Sequence, residues 1–222
     1  TQQKYDSGAV MMDRNLGALN MIPGDLGSFG LLYQWGRKDP FVGSGVYYDD
    51  GWMPAFTAPS DAIRYEYYNS STDTIENAVK NPTVVYNDAR WSKASYLWGY
   101  KKTKYDPCPV GWRMSDLSAW VNVSGSWEYR QEYLTANISS SVVYFPTAGW
   151  KNGDEYTHNV QHGAYFWLTE HRRYVDMWWD RLPYDGSTDV DYMMSVRCMK
   201  DDPDKTGDNE DYTEGDDYEW ND

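Results

Sequence analysis

Short apolar runs rich in β-branched and aromatic residues recur along the chain, and glycine and proline interrupt it too often for long helices. Such runs predict short strands, because these side chains pack well on the pleated surface of a sheet. The predicted strands lie at residues 9–16, 141–145, 164–169, 175–179 and 192–199. We expect the four strands of the second half to form an antiparallel meander whose loops hold polar and aromatic residues.

One helix is predicted over residues 115–122. Ser115 suits the N-cap, because its side-chain oxygen can accept a hydrogen bond from a free N–H group of the first turn. The apolar positions at helical spacing are Leu117, Trp120 and Val121. Shorter helices are expected at 60–68 and 89–97, within an irregular stretch over 42–98 that we interpret as a long ordered excursion.

Charge and length divide the chain into a body and a tail. The 222 residues suffice for one domain with a substantial core. Of the net charge of −14, the 11 acidic residues of segment 201–222, against the single Lys205, supply −10. We therefore expect a ligand-binding domain over 1–200 and an acidic C-terminal tail.

The body has no basic stripe to neutralise phosphates, so nucleic acid is not an expected partner. No segment has the length and hydropathy of a membrane-spanning helix.

The segment 163–192 has the composition of a binding surface. The chain holds 12 Trp and 21 Tyr against 5 Phe, and many of these rings stand beside arginine and aspartate in this segment. Tyrosine and tryptophan offer large contact areas with few rotatable bonds, and arginine adds forked hydrogen bonding. The predicted ligand-binding residues are Trp150, Tyr156, Tyr165, His171, Arg172, Tyr174, Asp176, Trp178, Arg181, Tyr184, Asp185, Ser187 and Asp189. An ordinary surface hairpin is the alternative.

Cys108 and Cys198 are the two cysteines, and their spacing does not match a metal or redox motif. In an exported protein, a disulfide between them would close a loop of 90 residues and stabilise the fold by about 4–5 kcal/mol. Two buried free thiols are the alternative that the residues alone leave open.

Partial calcium motifs occur in the tail. Trp220-Asn221-Asp222 spells a strand motif of calcium-binding lectins, but it follows the last cysteine instead of preceding it. The run 202–207 has alternate carboxylates and a glycine at its sixth position, whereas Thr213 stands where a bidentate glutamate is needed. We therefore expect no cofactor and a flexible, solvated tail, with calcium the one ion for which partial motifs exist.

The sequence assigns no nucleophile, base and orienting group, so we expect that the protein is not an enzyme. His158, His162 and His171 fall within a short region, but their loop setting is poor for a metal site. A carboxylate pair for glycoside hydrolysis stays open, since the sequence selects no pair.

Five segments resemble, in order, the signatures of one bacterial family, the Fibrobacter succinogenes major paralogous domain. They are MDRNLGA at 12–18, GLLYQWGRKDPF at 30–41, YDPCPVGWR at 105–113, YFPTAG at 144–149 and SVRC at 195–198. The family is similar to the C-type lectin-like superfamily, which implies an α+β fold with short helices, small antiparallel sheets and long ordered loops. The resemblance also implies export, a place on the cell surface and pairing of Cys108 with Cys198. Leu168 and Thr169 after Trp167, and the acidic tail, depart from the family pattern.

The resemblance extends to function. In some gut Bacteroidales such domains form the exposed tips of fimbriae, and some are diversified by retroelements that mutate adenines. The residues that would then vary are Tyr174, Asp176, Arg181, Tyr184, Asp185, Ser187 and Asp189; Trp167, Trp178 and Trp179 would be scaffold, since adenine mutation in AAY codons never gives tryptophan. A fixed loop is the alternative.

These observations predict an extracellular adhesion module of a fimbrial tip or outer-membrane-anchored surface protein. Its expected partners are a host or bacterial cell-surface protein or glycan, and other pilus subunits. One alternative is a carbohydrate-active enzyme or its glycan-binding accessory domain. Another is a purely structural component of a surface layer or pilus.

Overall fold

The computed structural model of the protein describes residues 2–5, 7–41, 66–68, 75–82, 84–86, 97–121, 123, 128–130, 133–138, 141–152, 157–178 and 181–202. Most of the expected excursion over 42–98, the helix at 89–97 apart from its last residue, and the tail from residue 203 onward lie outside these residues. So do both partial calcium motifs, apart from Asp202.

Short strands make up most of the described structure. In chain order they are β1 (Gln2–Lys4), β2 (Val10–Met12), β3 (Leu32–Gln34), β4 (Pro40–Phe41), β5 (Glu66–Tyr68), β6 (Val84–Tyr86), β7 (Trp112–Met114), β8 (Glu128–Arg130), β9 (Tyr133–Ile138), β10 (Ser141–Pro146), β11 (Trp150–Lys151), β12 (Thr157–His158), β13 (Gly163–Trp167), β14 (Arg173–Trp178), β15 (Arg181–Ser187), β16 (Met193–Ser195) and β17 (Cys198–Lys200). The described helices are α1 (Ile75–Lys80) and α2 (Leu117–Trp120), and a 3₁₀ turn covers Leu26–Ser28.

The expected α+β, C-type lectin-like fold class is wrong. Seventeen strands stand against two helices among the described residues. The two described helices have six and four residues, which is too short for either to form a helical layer against a sheet. The protein is therefore mainly β in the part of the chain that the structure describes. At the end of the helix expected over 60–68, Glu66–Tyr68 forms strand β5 instead, paired in parallel with β6.

The strands form one large sheet and three smaller ones. The large sheet has the order β12-β11-β16-β13-β14-β15, with β3 paired to β16 and β4 to β3. The smaller sheets have the orders β1-β2-β17-β7, β10-β9-β8 and β5-β6. Of the four strands expected to form an antiparallel meander, only β13 and β14 pair in that way, and the unpredicted β15 extends them. β10 pairs with β9 in another sheet, and β16 pairs in parallel with β13 and antiparallel with β3.

The strand predicted over 192–199 is split between two sheets. β16 belongs to the large sheet and β17 to the four-stranded sheet, and Arg197 lies in the connection, fully buried. Its Nη2 donates to Asn15 Oδ1 at 2.8 Å and to the Tyr144 carbonyl at 3.1 Å, and its guanidinium lies 5.0 Å from the Phe145 ring centroid. Burial lowers the pKa of Arg197. These contacts tie the crossing between the two sheets to the loop after β2 and to strand β10 of a third sheet.

The middle of the large sheet is covered on both faces, which explains why every residue of β13 is buried. Ala164 and Phe166 face a first core cluster around Trp120 and Phe145. Tyr165 and Trp167 face a second cluster around Trp35. The buried indole of Trp167 donates to the Tyr33 carbonyl at 2.8 Å, so its polar N–H group is satisfied.

The predicted helix over 115–122 is present but shorter, and its cap was assigned to the wrong residue. Helix α2 covers Leu117–Trp120, and Asp116 is its N-cap without a capping hydrogen bond from its side chain. Asp116 Oδ2 instead accepts from Arg113 Nη2 at 2.6 Å, and Ser115 Oγ accepts from the Trp120 indole at 3.2 Å. The Ser115 hydroxyl, which sequence reasoning assigned to the cap, is therefore the acceptor for the indole at the end of the same helix.

Cys108 and Cys198 form a disulfide with a Cα–Cα distance of 5.9 Å. This is the pairing that the family resemblance implies, and it rules out the alternative of two free thiols. Both cysteines are buried in the second core cluster. The bond ties the loop before β7 to β17, beside the strands that carry the candidate site.

Candidate functional site

Strands β13, β14 and β15 bring five predicted residues to one face of the large sheet. Asp176 of β14 is paired with Tyr165 of β13 and with Tyr184 of β15, and paired residues share a face. Tyr174 and Trp178 lie two positions before and after Asp176, and both pack against the second core cluster, on the same side. We call the surface formed by Tyr165, Tyr174, Asp176, Trp178 and Tyr184 the aromatic face.

Solvent reaches the aromatic face from the β15 side. Tyr165 is 5% exposed, Tyr174 and Trp178 are half-buried, and Tyr184 is 57% exposed. Asp176 is buried at the centre, and its Oδ2 accepts a hydrogen bond from the Trp178 indole at 2.9 Å. The face therefore has a fixed interior and an accessible margin.

Ring contacts fix the orientation of the aromatic face. Tyr165 meets Trp178 edge to face, with centroids 6.0 Å apart, and Trp167 meets Tyr174 in the same way at 6.3 Å. Asn159 Nδ2 donates to the Tyr165 hydroxyl at 2.8 Å. Edge-to-face pairs are the geometry that aromatic quadrupoles favour, so the rings are held before any ligand arrives.

Two glycines that sequence reasoning missed make room for these rings. A Cβ on Gly186, which is paired with Tyr174, would lie 2.6 Å from Tyr174 Cζ. A Cβ on Gly163 would lie 2.9 Å from Tyr165 Cε2. Neither glycine has the left-handed backbone that would itself demand glycine, so space for the ring is the reason. The sequence contains no signal for this, since the Gly186 contact depends on the pairing of two strands.

Trp150 lies in a second aromatic group of the large sheet. Its ring stacks on His158 with centroids 4.3 Å apart and meets the Tyr192 ring at 4.8 Å. Gly149 makes this arrangement possible, because a Cβ there would lie 2.0 Å from the His158 carbonyl oxygen. His158 and Tyr192 were not among the predicted ligand-binding residues, and cross-strand stacking has no local sequence signal.

Three predicted residues, Arg172, Asp185 and Asp189, take part in ion pairs that brace β14 and β15. Arg173 pairs with Asp185, with Nε to Oδ1 at 2.9 Å, and Arg172 pairs with Asp189. Arg172 Nε also donates to the Thr188 carbonyl at 3.0 Å, and its φ of 63° is left-handed. Asp185 and Ser187 are paired with Val175 and Arg173, so they lie on the face opposite Tyr174. The structure therefore does not bring all predicted residues to one surface.

The turn between β13 and β14 is anchored to helix α2. Glu170 accepts hydrogen bonds from the Leu117 N–H group at 3.0 Å and from the Tyr100 hydroxyl at 3.0 Å. Burial raises the pKa of Glu170, and burial together with the nearby Glu170 raises the pKa of Tyr100 to about 12. The anchored turn fixes one end of β14.

His171 in the same turn packs edge to face on Trp35 with centroids 4.7 Å apart. Burial, followed by the neighbouring charge of Arg172, lowers its pKa. His171 is thus a packed residue of the turn, on the side of the molecule that contains the second core cluster.

Some predictions cannot be placed. Tyr156 and Trp179 lie outside the described residues, and for Arg181 only the backbone of β15 is described, opposite Trp178. Within the described part of the chain, no group of histidine, cysteine or acidic side chains is arranged to hold a metal. A small cleft elsewhere, lined among others by Tyr133, Tyr144 and Arg197, has a volume of about 10 Å³, enough for a single water.

Comparison of the chain with protein-family models, curated proteins and solved structures found no match. Among the described residues, no helix is long and apolar enough to cross a membrane. The geometry of the candidate site is accordingly the basis for a functional proposal.

Proposed function

We propose that this chain is an extracellular binding module that attaches a bacterial surface structure to a ligand through the aromatic face. The observation that carries the proposal is the row Tyr165–Asp176–Tyr184 flanked by Tyr174 and Trp178. Half-exposed tyrosine and tryptophan rings held in place by their neighbours provide contact area at little entropic cost. Binding of this kind needs no catalytic group and no cofactor.

The scaffold supports this proposal. The large sheet is covered on both faces, the disulfide ties its surroundings together, and ion pairs brace the two outer strands. A rigid scaffold allows residues at its margin to change without loss of the fold. Retroelement diversification at this margin, where Tyr184 is exposed, is part of the proposal, as is a place at a fimbrial tip beside other pilus subunits. A reverse-transcriptase gene and a near-copy of the coding region beside this gene would support the diversification.

The test is binding of the purified protein to intact bacterial and epithelial cells, measured by flow cytometry with and without EDTA. We expect the double variant Tyr174→Ala/Tyr184→Ala to lose roughly tenfold or more of the apparent affinity. Tyr133→Ala is the matched control, because Tyr133 is a half-buried tyrosine on β9, in another sheet. Equal binding by the wild type and the double variant would place the functional surface elsewhere, and loss of binding in EDTA would show that a metal is required.

A further inference from the structure

The ring of Tyr174 leans across its own sheet. Tyr174 and Gly186 are paired across β14 and β15, and the three atoms nearest a Cβ on Gly186 would be Cζ, Oη and Cε1 of Tyr174, at 2.6–3.0 Å. The far end of the ring therefore covers Gly186 instead of projecting into solvent. Trp167 fixes the ring from the side, with its plane at 88° to that of Tyr174.

A ring that lies on a sheet suits a flat ligand. Anchor residues of protein–protein interfaces fill pockets of the partner, which requires a side chain that projects. Tyr174 instead offers a half-exposed ring backed by the strand, with the exposed Tyr184 on the neighbouring row. The electron-rich face of such a ring attracts the weakly positive C–H groups of a ligand.

Charge decides between the flat ligands that stack on tyrosine. Nucleobases stack well, but they come with phosphates, and the two arginines described next to this face, Arg172 and Arg173, are already paired with Asp189 and Asp185. A pyranose ring has an uncharged face of C–H groups and a rim of hydroxyls. The hydroxyls of the sugar can exchange hydrogen bonds with the Tyr184 hydroxyl. They can also reach the exposed Arg172–Asp189 ion pair, which lies where β14 begins and β15 ends.

We propose that the ligand of the aromatic face is a glycan, with one pyranose ring stacked on Tyr174 and with Gly186 as the positioning residue that keeps the tyrosine ring on the sheet. This inference rests on the proposed function, because it names the ligand class of the same face. Stacking requires the ring of Tyr174 and not its hydroxyl group.

The first experiment is a glycan array of mammalian and bacterial oligosaccharides, probed with the whole protein and with single variants. Tyr174→Phe keeps most of the affinity that Tyr174→Ala loses, because it keeps the ring. Tyr174→Ala and Gly186→Ala each lose roughly tenfold or more of the affinity for the glycans that the wild type binds, and Tyr133→Ala loses none. Loss of binding in Tyr174→Phe equal to that in Tyr174→Ala would overturn stacking.

A spectroscopic measurement separates positioning from folding for Gly186. With the best glycan of the array, saturation-transfer NMR of the wild type and of Tyr174→Phe gives signal at the C–H protons of one pyranose face. Gly186→Ala, checked as folded by circular dichroism, loses that pattern. An unchanged pattern in Gly186→Ala would remove the positioning role.

Treatment of cells distinguishes failure of this inference from failure of the proposed function. Mild periodate cleaves the vicinal diols of glycans, whereas trypsin removes surface proteins. Binding that periodate abolishes supports a glycan. Binding that survives periodate, is lost after trypsin and still depends on Tyr174 overturns the glycan inference and leaves the proposed function standing. Absence of binding to every cell and glycan tested counts against both.

Discussion

The substitution Gly186→Ala tests the contact between Gly186 and the ring of Tyr174 in the aromatic face. Gly186→Ala places a methyl group 2.6 Å from Tyr174 Cζ, so the ring must move. We expect a loss of roughly 1–3 kcal/mol in the free energy of unfolding, as for other overpacked sites. In a Tyr174→Ala background the same change should cost nothing or stabilise the strand slightly, since alanine restricts the unfolded chain. Urea unfolding of the four proteins of this cycle measures the coupling, and equal costs in both backgrounds would refute the contact.

The buried carboxyl group of Glu170 makes the stability of the protein depend on pH. Burial raises the folded-state pKa of Glu170 above its ordinary value of 4.5, so the folded protein holds this proton more tightly than the unfolded chain. Its contribution to stability is therefore fully present below the unfolded pKa and is lost as pH rises through the folded pKa. Glu170→Gln cannot lose a proton. The free energy of unfolding of Glu170→Gln minus that of the wild type should rise with pH across this window and then level off. Urea unfolding at several pH values measures it, and a flat difference would contradict the prediction.

At the scale of the elements, the close approach of the chain before β11 to the end of β12 depends on Gly149. Gly149 has a φ of 67°, and a Cβ there would lie 2.0 Å from the His158 carbonyl oxygen and 2.8 Å from the Val160 nitrogen. Gly8 is a matched control, because its φ of 87° is also left-handed but a Cβ there would meet nothing within 4 Å. Gly8→Ala should cost about 1–2 kcal/mol, the price of the backbone conformation alone. Gly149→Ala should cost about 4 kcal/mol or more, because backbone atoms must also separate. Similar midpoints of thermal unfolding for the two variants would show that the backbone at Gly149 and at 158–160 separates at little cost.

The same scale shows what the sequence could and could not predict. The apolar and aromatic runs over 164–169 and 175–179 correctly predicted β13, which is buried on both faces, and β14. The fold class failed because the predicted helix over 115–122 shrank to the four residues Leu117–Trp120, and Glu66–Tyr68 is a strand. The sequence pattern does not show that the Ser115 hydroxyl accepts from the Trp120 indole instead of capping the helix. For the site, composition selected Tyr174 and Tyr184, but only the register of β14 and β15 shows that Asp185 lies on the other face.

At the scale of the whole molecule, the disulfide connects stability with the compartment in which the chain folds. Cys108–Cys198 closes a loop of 90 residues, and the bond is buried in the second core cluster. We expect Cys108→Ala/Cys198→Ala to lose about 2–5 kcal/mol of the free energy of unfolding, because the unlinked unfolded chain gains freedom. Alanine is the suitable replacement, since a serine hydroxyl in this apolar cluster would add a cost of its own.

Wild-type protein refolded in a reductant is the control for this variant, and its urea midpoint should match that of the double alanine variant. If the variant and the oxidised wild type unfold at the same urea concentration, the disulfide does not stabilise this fold. A large loss would have a further consequence, because the thiols of a reducing cytoplasm stay unpaired. The yield of folded wild type should then be higher from periplasmic than from cytoplasmic expression, whereas the double alanine variant should give equal yields from both. Such a difference in yield is expected of a protein that folds and works outside the cytoplasm, as the proposed function requires.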